Sequence, residues 1–163
     1  MTVTLRPLTN DNWYDCINLA PTAEQARIGF VAPNTHSLIQ AHFEPWWQPY
    51  AIYAPIADKE VMVGFAMYGR WPATGVDPRH ENAKPGIDFI LRFMIDARYQ
   101  GQGYGRAAMA ALIAHSKAQP GWQALEISYD VANPVMERLC TSAGFQPTGQ
   151  VFDGEIEARL TSL

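Results

Sequence analysis

Apolar and polar residues alternate over Val3-Thr4-Leu5-Arg6 and stop at Pro7, which predicts a first strand. Helical spacing then carries Trp13, Ile17 and Leu19 to one side, behind Asn10 or Asp11 as a cap. From Pro21 to Pro49 prolines and a glycine break the pattern, leaving one helical piece over Ser37–His42, ahead of the aromatic run Phe43-Glu44-Pro45-Trp46-Trp47. Tyr50–Ala54 and Glu60–Gly69 read as strands paired around an Asp58-Lys59 turn. Trp71–Lys84 is a loop, and Gly86–Ile95 a strand that feeds a glycine-rich turn. A helix from about Gly103 to Ala118 follows, then a strand over Ala124–Tyr129. A helix opened by Asn133 carries Val135, Met136, Leu139, Cys140 and Ala143 at helical spacing and stops at Gly144. Strands over Gln146–Phe152 and Glu155–Leu160 complete the order. The class is α/β (α+β), in a single domain over 1–163, with no linker and no internal repeat.

Composition narrows the function. The apolar share of 48% in 163 residues supports a core without disulfides or metals. A net charge of −4 argues against nucleic acid as partner and permits a cationic small molecule. Cys16 and Cys140 are far apart and have no metal-ligand spacing. His36, His42, His80 and His115 form no metal set, so no metal is expected. The first residues lack the basic and then apolar run of a signal peptide, and no apolar run is long enough to span a bilayer. A cytoplasmic protein, with no membrane partner, is the expectation.

The chemistry concentrates in Gln100-Gly101-Gln102-Gly103-Tyr104-Gly105, between a strand and a helix. Glycines let a backbone turn tightly against a ligand, and the first amides of a helix have no partner within it, so the turn predicts an anion site. It is neither a dinucleotide fingerprint, whose third glycine falls one place later, nor a phosphate loop, which ends in Gly-Lys-Ser/Thr.

The turn resembles the Gln/Arg-x-x-Gly-x-Gly/Ala motif of the Gcn5-related N-acetyltransferase (GNAT) family. Asn133 to Phe145, opening in Asn and closing in Gly-Phe, is similar to that family's later helix. Phe30-Val31-Ala32-Pro33-Asn34, Arg92-Phe93-Met94-Ile95-Asp96 and Asp153-Gly154-Glu155 extend the resemblance to bacterial spermine/spermidine N-acetyltransferases. The resemblance implies a central mixed, mostly antiparallel sheet of about six or seven strands, splayed between the fourth and fifth and flanked by about four helices. It implies acetyl-CoA as cosubstrate, held by Phe93, Met94, Ile95, Gln100, Gly101, Gln102, Gly103, Tyr104, Gly105, Arg106 and Asn133. For Asn133, capping its own helix is an equal alternative. It further implies direct transfer to a small amine, a polyamine first, and a homodimer. Aminoglycosides, amino acids or a protein amino terminus are alternative acceptors, and a catalytically weak acyl-CoA-binding sensor is an alternative of another class.

Two positions depart from the family pattern. Cys140 stands where many members carry the tyrosine that protonates the coenzyme thiolate, and Leu91 where some carry a basic glutamate on the fourth strand. Cys140 is therefore the candidate acid, with Tyr129 and Tyr104 as alternatives, and Glu155 the candidate base. Glu44, Trp47, Tyr53 and Asp88 are the candidate acceptor-binding residues, since carboxylates and aromatic faces suit a cationic amine.

Overall fold

The computed structural model describes residues 1–162. The elements run β1 (Thr4–Pro7), α1 (Trp13–Ile17), α2 (Ala23–Ile28), α3 (Asn34–Phe43), β2 (Trp47–Ile56), β3 (Lys59–Arg70), β4 (Asp88–Ile95), α4 (Tyr104–Lys117), β5 (Ala124–Asp130), α5 (Pro134–Ser142), β6 (Gln146–Phe152) and β7 (Glu155–Thr161). A short 3-10 turn, Ala97–Tyr99, joins β4 to the glycine-rich segment. The strands form one seven-stranded sheet in the order β1-β2-β3-β4-β5-β7-β6. All neighbours are antiparallel except β4 and β5, which α4 connects as a parallel crossover. This is the predicted mixed sheet.

Three local differences from the sequence reading have physical causes. The β2–β3 turn is Ala57-Asp58, both at positive φ (47° and 62°), because Ile56 pairs with Lys59 and closes a primed turn whose twist suits a hairpin. The segment after Pro21 holds a short helix that was not expected. Thr22 and Gln25 form a reciprocal capping box at the start of α2, but the helix buries no residue, so it leaves no apolar period to read. Helix α3 begins at Asn34 and turns Asn34 and Ser37 inward beside Leu38 and Ala41.

The core has two faces. Ala108, Met109 and Leu112 of α4 and Cys140 of α5 pack on one face of the sheet with Ile90, Leu125 and Ile127. The other face gathers Cys16 and Leu19 with Trp47, Phe65, Met67, Trp71, Phe89 and Met94, against Leu38 and Ala41 of α3. The loop between β3 and β4 is pinned at Lys84. Its ammonium lies 3.1 Å from Glu126 Oε2 and 2.6 Å from Glu157 Oε1, two fully buried carboxylates on β5 and β7.

The ladder between β4 and β5 is short. It pairs only Asp88–Ile90 with Leu125–Ile127, and the strands part beyond it. On its other edge β4 carries one extra residue, Leu91, between the pairs Tyr68–Ile90 and Met67–Arg92. A bulge bends and twists the strand that contains it, and this one sits where β4 leaves β5.

Candidate active site

The parted strands open a cavity of about 990 Å³. One wall is the second half of β4, the free half of β5, and the starts of α4 and α5. Phe93, Met94, Ile95, Gln100, Gly101, Gly105 and Asn133 all line it.

The strand register shows which backbone groups face the gap. Asp96 N–H donates to Val63 C=O at 2.9 Å, so Met94 and Asp96 turn their polar groups to β3. Alternation along the strand then turns those of Phe93 and Ile95 into the cavity. Ile95 C=O already accepts from Gln100 Nε2 at 2.9 Å, which leaves its N–H and both groups of Phe93 for a ligand. Gln100 also joins the turn to α2, exchanging side-chain hydrogen bonds with Gln25 at 2.8 and 3.2 Å.

Gly101 (φ 74°) and Gly103 (φ 90°) take left-handed backbone that a side chain would strain. Gly103 caps α4, and the amides of Tyr104, Gly105 and Arg106 in its first turn lack intrahelical partners. Gln102, Gly103, Tyr104 and Arg106 lie outside the cavity wall. Tyr104 packs its ring in the core, and Arg106 is exposed, so backbone is what these two offer at the mouth. Asn133 caps α5, accepting from Met136 N–H at 3.1 Å, and lines the cavity as well.

The acceptor side differs from expectation. Asp88 does not reach the cavity. It is 2% exposed and bonds Arg70 Nε (2.6 Å) and Ser116 Oγ (2.7 Å), tying the start of β4 to the end of α4. Trp47 is buried in the aromatic core with Trp71 and Phe89, and Tyr53 lies under the Arg6 guanidinium at 4.4 Å; neither lines the cavity. Glu44 stands behind the wall. It accepts from Trp47 Nε1 (2.7 Å) and Gln40 Nε2 (2.9 Å) and lies 3.4 Å from His80 Nε2, and His80 does line the cavity. Burial would raise the Glu44 pKa, but these bonds together hold it below the ordinary value.

Glu155 lines the cavity and accepts a hydrogen bond from Ser128. Cys140 does not line it. The thiol is 1% exposed and burial pushes its pKa up to about 12, which makes it a packing residue and a poor acid. Tyr129, on the free half of β5, is in the wall instead. Burial, with Cys140 and Glu137 as neighbours, raises its pKa.

The sequence marks Arg92 only as part of a motif and His80 only as a histidine without metal partners. Both are in the wall, beside Arg79, Glu81, Phe30 and Val31. Position on a loop and a polar helix contact gave neither a periodic signal. Among the described residues no group of three or more His, Cys, Asp or Glu is placed to hold a metal ion, and no helix is long and apolar enough to cross a membrane.

The acetyltransferase (GNAT) domain family matches residues 2–146. The chain belongs to the GNAT family. It is an N-acetyltransferase, 30% identical over 156 residues to a spermine/spermidine N(1)-acetyltransferase of Bacillus subtilis (strain 168), with 95% of each chain covered. Among solved structures, this GNAT chain is similar to the aminoglycoside acetyltransferase AAC(6')-Ib in complex with coenzyme A and kanamycin (TM-score 0.71, 21% identity, 98% of this chain and 95% of that one). It is also similar to a Vibrio cholerae spermidine N-acetyltransferase in complex with coenzyme A and spermine (TM-score 0.70, 14% identity, 97% and 93% covered). At these identities the two structures establish the fold, and the parted β4–β5 pair belongs to it.

Replacing Cys140 by Ala tests its placement. The substitution is expected to cost about 1–2 kcal/mol in chemical denaturation and to leave turnover within about twofold, as for a small buried side chain outside the cleft.

Proposed function

We propose that this chain transfers an acetyl group from acetyl-CoA directly to a primary amine of a small cationic acceptor, with polyamines such as spermidine and spermine as the favoured class. The carrying observation is the free β4 edge, which leads through the short Ala97–Tyr99 turn to the left-handed glycines and open amides at the start of α4. An extended amide-bearing arm can pair with Phe93 and Ile95 as an added strand does, and a pyrophosphate suits the helix start. The polyamine class rests on the curated relative and on Glu81, Asp153 and Glu155 in the wall.

When bound, acetyl-CoA supplies an activated acyl group and a thiolate leaving group. The residues of the chain supply position and protons. Holding donor and acceptor in one cleft replaces a bimolecular encounter and can be worth an effective molarity of ~10⁵ M or more. The amine nitrogen bonds the carbonyl carbon as the carbon–sulfur bond breaks, the nitrogen loses a proton, and the thiolate takes one up. Tyr129 is the donor we assign to the thiolate: it is the phenol in the wall on the free half of β5, and a phenol carries its proton at neutral pH.

Two experiments check this reading. Thiol release from acetyl-CoA, with product mass confirmation, should be robust with spermidine or spermine and weaker with aminoglycosides and short peptides; robust peptide turnover without polyamine turnover would overturn the acceptor class. Acetyl-CoA binding with no amine-dependent release would fit an acyl-CoA sensor instead. Tyr129→Phe should slow transfer by about a hundredfold while the KM for acetyl-CoA stays unchanged.

A further inference from the structure

Arg92 is a partly buried cation in the wall of the acceptor chamber, with no carboxylate in ion-pair range among the described residues. Its guanidinium donates to three neutral oxygens: Nε to Ser37 Oγ (3.2 Å), Nη2 to Gln40 Oε1 (3.1 Å) and Nη1 to Leu91 C=O (2.9 Å). A neutral amide could hold Ser37 and Gln40 without the cost of taking a charge out of water. The charge itself therefore needs an explanation beyond holding α3.

Position supplies one. If the donor arm follows the β4 edge from the α4 turn, as the acetyltransfer reading has it, its reactive end arrives at the parting point near Leu91. Arg92 is the next residue, and its side chain reaches α3, on the acceptor face of the sheet. The ionisable groups around this chamber come from every wall. The α3 end gives Glu44, tied to Trp47, Gln40 and His80; the loop gives Arg79, His80 and Glu81. Strand β5 gives Tyr129 and Asp130, and the last hairpin gives Asp153 and Glu155, the latter bonded by Ser128. Glu155 and Glu44 act on Arg92 through space without bonding it.

We propose that Arg92 keeps the reacting amine of the acceptor neutral: a fixed like charge beside the parting point disfavours the ammonium form, and the acidic residues of the wall take the acceptor's other cationic groups. The inference rests on the acetyltransfer reading above. On binding, the reacting ammonium releases a proton to solvent, so the nitrogen that attacks already carries its lone pair. This accounts for a fourth strand that has Leu91 where a carboxylate base could stand.

The test is the pH dependence of single-turnover acetyl transfer to spermidine. In the wild type the acidic limb should fall at least about one pH unit below the ~10.4 of a free alkylamine. Arg92→Gln should move the limb up by about one unit, slow transfer at neutral pH by roughly tenfold, and lower the KM for the amine, because the protonated acceptor is no longer repelled. A purely structural role would not lower KM. Arg92→Lys, which keeps the charge, should hold the limb in place; equal displacement in both variants would overturn the charge argument. A wild-type limb at the free-amine value would overturn it even if Arg92→Gln failed to fold. A raised KM with an unmoved limb would also overturn it, and would leave the guanidinium a support for α3 and the chamber wall. Absence of amine-dependent thiol release in the wild type is a separate result, which removes the acetyltransfer reading and this inference with it.

Discussion

The site depends on one constraint: β4 and β5 pair for three residues and then separate. Backbone groups left unpaired inside a protein are costly, so a sheet that opens in its middle must support each strand from its other side. Here β4 keeps β3 along its whole length, and β5 keeps β7 over Ala124–Asp130. The extra residue at Leu91 bends β4 as the ladder with β5 ends. The unpaired edge that remains faces a cleft, where a ligand or water can complete it. The cavity follows from that opening.

The α3 face of the sheet carries polar groups beside its aromatic core. Helix α3 turns Asn34 and Ser37 inward, Gln40 reaches Arg92, and Lys84 fastens the β3–β4 loop to Glu126 and Glu157 on β5 and β7. Arg159 Nε adds a second cation on Glu126 at 2.7 Å. These bonds fix polar groups around the cavity beside Phe30, Val31, Phe89 and Leu91 in its wall. The opposite face, under α4 and α5, is an ordinary apolar core.

That contrast explains what the sequence made legible. Strands β3 to β7 and helices α4 and α5 carry apolar periods and glycine punctuation, so their order and the turn at Gln100–Gly105 were readable, while the mixed sheet came from the family resemblance. Helix α2 was not, because a capped six-residue helix with nothing buried has no period. The side-chain assignments fared unevenly for a related reason. Asp88 sits on the expected strand, but one-residue alternation decides which face a strand residue takes, and only pairing reveals it. Asp88 thus faces Ser116 of α4, while Arg92, after the bulge, reaches the acceptor face. A bulge shifts that alternation, and nothing in the residues around Leu91 announces one.

In the proposed reaction the free β4 edge and the start of α4 together receive the acyl donor. Hydrogen–deuterium exchange with and without coenzyme A measures this residue by residue. Slowed exchange at the amides of Phe93 and Ile95 and across Gly101–Arg106, with β1 and β2 unchanged, is the predicted result. Saturating coenzyme A that leaves those amides unprotected, or protects another surface, would contradict it.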